Sequence, residues 1–287
     1  MAVDVGRIGI WCSSRIWPQD AGAVAEAAAE LETLGYRTLW LGMSPAGTLE
    51  QPASLLAATS TLAVATGIVS VWDLPPATVA RAYRRVAAAY PDRFLLGLGA
   101  SHSHVVERGG GRYLHPYRTV AGFLDGLDEA VPPVPASGRA LAALGPRMLA
   151  LAAARTAGAH PYLVTPAHTQ RAREALGDRP LLAPEQKAVL ETDPARAREV
   201  ARSALHVYLQ APNYVSNLLR LGFTEDDIRH TSDRLVDALV AWGDEKAIVR
   251  RVTEHHAAGA DHVCVQVVTG EPALPRAEWR ALAAAFT

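Results

Sequence analysis

The 287-residue sequence predicts an α/β protein whose eight parallel strands close into a (β/α)8 TIM barrel, with extra helices before the last β/α unit. Strand-like and helix-like apolar patterns alternate along the chain. Apolar residues make up 49% of the sequence, enough to bury a large core. No Gly-x-Gly-x-x-Gly turn follows the first strand, which disfavours an open doubly wound sheet. We therefore expect a single domain over residues 1–287.

Short apolar runs bounded by turn residues predict the eight strands. They cover residues 7–11, 36–41, 63–71, 94–98, 140–144, 160–164, 186–190 and 261–268. Apolar residues at helical spacing, with glycine or proline near several ends, predict the helices between them. These cover residues 24–34, 76–90, 117–130, 147–157, 167–176 and 246–258, and two or three further helices are expected within 194–239.

The charge balance and the cysteines indicate the class of protein. The sequence has 28 Lys and Arg against 29 Asp and Glu, and no basic tail or stripe, so nucleic acid is not an expected partner. Cys12 and Cys264 both lie in apolar runs, which indicates reduced, buried thiols. No apolar stretch reaches membrane-spanning length, and no secretory leader is visible. We expect a soluble, cytoplasmic protein.

The first candidate site follows the fourth predicted strand. Gly97-Leu98-Gly99 leads into Ser101 and His102 at the carboxyl end of that strand, where a barrel builds its active site. Gly99 lets the backbone approach a ligand, and Ser101 and His102 could hydrogen-bond it. His102 titrates near neutrality and is the candidate catalytic residue, because it could move the proton that accompanies a hydride. His104 is expected to point elsewhere in an extended segment.

Two other histidine groups have less specific interpretations. A zinc site of His102, His104 and His115 lacks any accompanying ligand pattern, so no metal is expected. The adjacent His255 and His256 on the last helix are expected to be solvated or to cap that helix.

A second candidate site comprises Gly145, Pro146, Arg147 and Met148, between the fifth strand and its helix. The unpaired N–H groups at a helix start favour a phosphate, and Arg147 could add positive charge, with Ser101 nearby. The alternative is an ordinary tight loop with proline at the first helical position.

The stretch around the fourth strand resembles a known family. Pro76 and Ala80 open the preceding helix, Pro91-Asp92-Arg93-Phe94 follows it, and Gly97-Leu98-Gly99 ends the strand. Together with residues 35–42, 243–246 and 258–263, this resembles the luciferase-like monooxygenase superfamily, in particular its coenzyme F420 (deazaflavin) branch. The resemblance covers almost the whole chain.

The resemblance implies a fold, a reaction and a cofactor site. It implies a barrel that transfers a hydride between coenzyme F420 and an organic small-molecule substrate, and a homodimer. It implies a non-prolyl cis peptide in a third-strand bulge, for which Ser70 and Val71 are the candidates. It places the cofactor phosphate near residues 145–148. Arginines at the barrel mouth would suit the anionic F420 tail, and the candidates are Arg15, Arg108, Arg112 and Arg147.

Two alternative functions remain open. An FMN-dependent luciferase-like monooxygenase would use the same barrel with oxygen activation, and a non-catalytic flavin-binding barrel would carry no chemistry. The chain also departs from many deazaflavin enzymes after the second strand. Residues 41–44 read Leu-Gly-Met-Ser and offer no acid or base, so the substrate class is open.

Overall fold

The computed structural model describes residues 3–43 and 45–286 and has the predicted barrel architecture; Ser44, at the end of the acid- and base-free segment, lies outside the described residues. All strand pairs are parallel. The strands are β1 Ile8–Ser13, β2 Thr38–Gly42, β3 Ala63–Gly67, β4 Val69–Ser70, β5 Phe94–Gly99, β6 Arg139–Leu141, β7 Gly158–Ala159, β8 Leu181–Leu182, β9 Glu185–Val189, β10 Val240–Trp242 and β11 Val263–Val267.

The sheet closes on itself through residues 181–189. β8 pairs with β7, while β9, only two residues further on, pairs with β11, which pairs with β1. The two residues between them bond to both neighbours: Ala183 N–H donates to Ala159 C=O at 2.9 Å, and Cys264 N–H donates to Pro184 C=O at 3.1 Å. Residues 181–189 therefore serve as one barrel strand, and the ring has no open edge between β7 and β1.

Side chains alternate between the barrel interior and the surrounding helices, as the period of a strand requires. One interior layer contains Trp11, Trp40, Ala65, Leu95 and Cys264, all buried. Their strand neighbours, such as Ile10, Leu39 and Phe94, pack instead with helix residues in the largest core cluster. The barrel is therefore filled by side chains and leaves space for a ligand at its end, not along its axis.

The third and sixth strands differ from the predictions. The expected strand 63–71 is divided into β3 and β4 by a cis peptide bond between Gly67 and Ile68. The expected strand 160–164 is wrong, because the sixth strand is the two-residue β7, ending at Ala159. Pro161 has no N–H to donate, and Leu163 adopts a left-handed φ of 58°, so neither can continue a ladder.

The helices surround the sheet and cover one of its ends. They are α1 Ala21–Thr33, α2 Glu50–Ala57, α3 Pro76–Ala89, α4 Ser103–Arg108, α5 Pro116–Asp128, α6 Pro146–Arg155, α7 Pro166–Leu176, α8 Pro194–His206, α9 Pro212–Arg220, α10 Glu225–His230, α11 Asp233–Leu239, α12 Glu245–Ala257 and α13 Arg276–Phe286. The region before the last unit holds four helices, α8 to α11, where two or three were expected. A short strand that the sequence did not predict, β10, pairs with β9 directly after them.

Two expectations from composition can be compared with the structure. Cys12 and Cys264 are both free and buried, and burial raises the pKa of the Cys12 thiol to about 12, so this thiol stays protonated at neutral pH. Among the described residues, no helix has both the length and the apolar character needed to cross a membrane.

Candidate active site

A cavity of about 360 Å³ opens at the carboxyl ends of the barrel strands. Its walls come from the loops after β1 to β7 and from residues 207–214, which run from the end of α8 into the first turn of α9. Five predicted site residues line it, namely Arg15, Ser101, His102, Gly145 and Met148. The lining residues that the sequence did not point to include Met43, Gly67, Ile68, Tyr113, Ala142, His160, Tyr162, Tyr208, Asn213 and Tyr214. The cavity therefore lies where the barrel topology predicts a ligand site.

The cis peptide of the third strand lies at Gly67–Ile68, not at Ser70–Val71. Gly67 and Ile68 line the cavity, whereas Ser70 and Val71 are buried and do not line it. Ser70 Oγ accepts a 3.2 Å hydrogen bond from Trp72 N–H, which fixes the turn that follows β4. The prediction that Ser70 and Val71 form the bulge at the ligand is therefore three residues out of register.

Two ring nitrogens lie close to the position that a side chain at residue 67 would occupy. A Cβ there would lie 2.9 Å from Trp11 Nε1 and 3.0 Å from His160 Nε2. Neither nitrogen has a hydrogen-bond partner within the described chain. His160 Nδ1 donates to Ala183 C=O at 2.7 Å, so Nε2 carries the lone pair. Residue 67 is glycine because any larger side chain would collide with these rings.

The loop after β5 carries the candidate acid/base group. Ser101 adopts a left-handed φ of 54°, and Gly99 packs tightly beneath it, with Ile68 and Ala142 within about 3 Å of a Cβ placed there. His102 Nδ1 donates a 3.3 Å hydrogen bond to Asn213 Oδ1, which leaves the Nε2 lone pair available. Burial, as the largest cause, lowers the pKa of His102, so the ring is neutral at pH 7. A neutral imidazole at the cavity can accept a proton.

His104 stays close to His102, contrary to the expectation that it points elsewhere. The two imidazole rings stack at 5.7 Å between centroids, because Ser103 starts the short helix α4 in place of an extended segment. His104 also lines the cavity. Of the described residues, no three His, Cys, Asp or Glu side chains converge in a way that could hold a metal ion.

Three tyrosines form an aromatic wall on one side of the cavity. Tyr162 lies 5.2 Å from Tyr208 and 6.2 Å from Tyr214 between ring centroids, and Trp11 lies 5.1 Å from Tyr162. The Tyr162 and Tyr208 hydroxyl groups hydrogen-bond each other at 2.8 Å. This wall suits the face of a flat, conjugated ring. Its tyrosines come from β7–α7 and from the α8–α9 segment, regions that the sequence did not connect.

A buried ion pair lies directly behind that wall. Lys187 Nζ is 3.0 Å from Glu185 Oε1, and both side chains are 1% exposed. The ammonium group lies 3.9 Å from the centre of the Tyr162 ring, and Glu185 Oε2 accepts a hydrogen bond from Leu163 N–H. Burial raises the pKa of Glu185 and lowers that of Lys187, while each charge stabilises the other.

The loop after β6 presents the start of α6 to the cavity, as expected, but Arg147 does not face it. Gly145 and Met148 line the cavity, whereas Pro146 lines a separate, smaller one. The Arg147 guanidinium stacks on Tyr117, 4.6 Å from the ring centre. The guanidinium nearest to Gly145 is that of Arg220, whose Nη2 is 3.8 Å from a Cβ built on Gly145. Of the mouth arginines expected to bind a tail, Arg15 lines the cavity.

Comparison with known proteins identifies the family. Residues 6–262 match the model of a family described as luciferase-like monooxygenase. The chain belongs to the luciferase-like monooxygenase family. No curated protein sequence gives a significant match. Members of this family are oxidoreductases and monooxygenases, so the chain is a luciferase-like oxidoreductase by family.

Solved structures with this luciferase-like fold include enzymes of both cofactor types. An F420-dependent secondary alcohol dehydrogenase, in complex with an F420–acetone adduct, is 17% identical, with a TM-score of 0.70 and 96% of each chain covered. The coenzyme F420-dependent tetrahydromethanopterin reductase of Methanopyrus kandleri is 14% identical, with a TM-score of 0.72 and 96% of each chain covered. The oxygenating constituent of 3,6-diketocamphane monooxygenase from Pseudomonas putida, in complex with FMN, is 13% identical, with a TM-score of 0.67 and 97% and 96% covered. These identities establish the fold alone.

Proposed function

We propose that this chain is a coenzyme F420-dependent oxidoreductase that moves a hydride between the deazaflavin and an organic small molecule. The observation that carries the proposal is the neutral His102 at the edge of a large, aromatic-walled cavity at the carboxyl ends of the strands. The preference for F420 over FMN rests on the resemblance of residues 35–42 and 94–102 to the deazaflavin branch. Two relatives that bind F420, with TM-scores of 0.70 and 0.72, support it.

The residues around the cavity fit a flavin-like group. The aromatic wall offers a flat surface, and the unpartnered Trp11 Nε1 and His160 Nε2 offer a buried donor and a buried acceptor at the floor. At the other side, Ser101 and the start of α6 at Gly145 and Met148 suit an anionic tail. When bound, the deazaflavin supplies the hydride chemistry, and the protein supplies orientation and charge.

His102 is the proposed catalytic residue. Where the hydride leaves a carbon that carries an O–H or N–H group, that group also loses one proton, and His102 Nε2 can accept it while Asn213 Oδ1 accepts from Nδ1. A positioned general base contributes about 10²- to 10⁴-fold to a rate. A His102→Asn variant that kept the wild-type rate and pH profile would remove His102 from this role.

The second candidate function is an FMN-dependent monooxygenase. The FMN complex among the structural relatives supports it, and FMN would use the same cavity and the same helix start. Ser70 and Val71, which the sequence offered as a deazaflavin feature, are buried, do not line the cavity and give no support to either cofactor.

Titration of the purified protein with each cofactor tests the proposal. We expect F420 to quench the intrinsic tryptophan fluorescence at lower concentration than FMN, because Trp11 lines the cavity. We also expect reduced F420 to be reoxidised by a substrate without oxygen consumption. Tighter binding of FMN, together with oxygen consumption in the presence of reduced FMN, would favour the monooxygenase instead. Binding of neither ring would contradict both functions.

We also propose that the protein is a homodimer, as the family resemblance implies and as is commonest among soluble assemblies. Light scattering at working concentration is expected to give about twice the 30.6 kDa chain mass. A mass equal to one chain would contradict this proposal without affecting the cofactor assignment.

A further inference from the structure

A second cavity, of about 180 Å³, lies between α6, α7 and α9. Leu144 lines both cavities, so the two are neighbours on either side of the segment that leads into α6. The second cavity is distinguished by four polar side chains among its lining: His168, Arg171, Asn217 and Arg220.

Two buried polar atoms in this cavity have no partner among the described residues. Asn217 is 2% exposed, and its amide Nδ2 makes no hydrogen bond, although its Oδ1 accepts one from Arg220 at 3.4 Å. His168 Nε2 donates to Leu144 C=O at 2.9 Å, so the unpartnered Nδ1 carries a lone pair. An unmade hydrogen bond at a buried group is costly, which is why such groups usually indicate a missing ligand, ion or water.

The charge at this cavity is positive. Arg171 donates to Arg220 C=O at 2.8 Å, and Arg220 donates to Asn217 Oδ1, so both guanidinium groups bond to uncharged oxygens. Within residues 3–43 and 45–286, no carboxylate forms an ion pair with either arginine. The start of α6, a helix of 10 residues, adds the positive end of its dipole at Pro146.

Gly145 connects this positive cavity with the larger one. Its backbone lines the larger cavity, and a Cβ placed on it would have Arg220 Nη2, at 3.8 Å, as its nearest neighbour. Because Gly145 has no side chain, Arg220 can reach a ligand group that extends from the larger cavity across the loop between β6 and α6.

We propose that the second cavity is an oxyanion site that binds a phosphate group through Arg171, Arg220 and Asn217 Nδ2. The phosphate oxygens accept from all three, and the arginine forks suit a phosphate. The lone pair of His168 Nδ1 is satisfied either by a proton of the phosphate or by protonation of the ring beside the anion. The inference rests on the proposed function only for the source of the phosphate, which is either the tail of the bound cofactor or free phosphate.

Calorimetric titration with inorganic phosphate tests the site itself. Arg220→Gln and Arg171→Gln are each expected to weaken phosphate binding by about tenfold or more, because each removes a charge-assisted hydrogen bond. Both side chains are exposed enough for the protein to fold without them. Arg179→Gln, an exposed arginine beyond the end of α7, is the matched control with the same change in net charge. Equal affinity in the wild type and in both variants, or equal losses in the control, would overturn the site.

Tailless cofactor analogues identify the source of the phosphate. If the tail fills the site, F420 will bind better than its tailless deazaflavin, or FMN better than riboflavin, and Arg220→Gln will remove that advantage. If inorganic phosphate binds in an Arg220-dependent way while this advantage is unchanged, the occupant is free phosphate. Ring binding without any arginine-dependent phosphate effect would overturn this inference and leave the proposed function intact. Arginine-dependent phosphate binding without ring binding would support the phosphate site and contradict the proposed function.

Discussion

Replacing Lys187 with methionine is expected to lower the free energy of unfolding by about 3–5 kcal/mol at pH 8. The substitution leaves Glu185 buried at 1% exposure without the ammonium group 3.0 Å away, and only the Leu163 N–H still faces its carboxylate. Removing one partner of a buried pair costs this much because an uncompensated charge stays in a low-dielectric interior. Urea unfolding of the variant and the wild type measures the difference.

The pH dependence of this loss follows from the remaining carboxyl group. Burial already raises the pKa of Glu185, and loss of Lys187 raises it further. A carboxyl group whose folded pKa exceeds its unfolded value destabilises the protein above the unfolded pKa. The loss in the free energy of unfolding therefore becomes smaller as the pH falls and Glu185 binds a proton. Lys187→Met/Glu185→Gln, which keeps an acceptor for Leu163 N–H, should recover most of the stability. Lys246→Met, at an exposed lysine, is the control; a variant Lys187→Met no less stable than this control would refute the argument.

One residue of this ion pair, Lys187, could be recognised from the sequence, whereas its partner Glu185 could not. Lys187 is one of two lysines in the chain and lies inside an apolar run that the pattern correctly predicts as a strand. A lysine in a buried strand was therefore a visible signal of a buried cation. Its partner Glu185 was not placed in that strand, because the predicted start at residue 186 fell one residue late.

The barrel was predictable because the patterns that specify its strands and helices are local in the sequence. The alternation of apolar periods and the glycine or proline at helix ends depend on near neighbours in sequence. The weakest element was the sixth strand, for which His160 to Val164 has a strand-like composition. The structure places the ladder at Gly158 and Ala159 instead, since Pro161 cannot donate to it. β10, with three residues after a helix, gives too short a pattern to be recognised.

The candidate site was predictable only where it follows a strand directly. Ser101, His102 and Gly145 line the cavity because the end of a barrel strand fixes their position. Tyr208, Asn213 and Tyr214 reach the same cavity from a region more than 60 residues further along the chain, through the path of α8 and α9. No spacing in the sequence encodes that path, so these contacts and the environment of Arg220 could not be foreseen.

Three buried histidines are expected to make the protein sensitive to mild acid. His160 stacks on Trp40 at 4.2 Å inside the barrel, and His262 accepts a hydrogen bond from Trp40 Nε1 at 3.0 Å. His255, expected from the sequence to be solvated or to cap its helix, is fully buried between Thr169 and Gln186. Burial lowers the pKa of His160 and His262 to about 4 and that of His255 to about 3.

The sign of the effect follows from where protons bind. In the unfolded chain a histidine titrates near its ordinary pKa of about 6.5, so below this pH the unfolded state binds more protons than the folded state. Above about pH 6.5 each histidine is neutral in both states and the free energy of unfolding is at its full value. It falls as the pH drops from about 6.5 towards the folded pKa. Each pH unit below about 6.5 lowers the free energy of unfolding by about 1.4 kcal/mol for each group. At pH 5 each histidine therefore lowers it by about 2 kcal/mol. The sum for all three is a large part of the stability of a typical domain.

Urea unfolding at pH 7.5 and pH 5 measures this loss, and one substitution isolates the share of a single ring. His262→Gln can keep both hydrogen bonds, accepting from Trp40 and donating to the Gly6 C=O that His262 Nδ1 contacts at 2.9 Å. It should reduce the stability difference between the two pH values by about 2 kcal/mol, because glutamine does not titrate. His115→Asn, at an exposed position with a left-handed φ of 52° that asparagine tolerates, should leave the difference unchanged. A pH difference that is the same in the wild type and in His262→Gln would mean that protonation of His262 is not among the causes of acid unfolding.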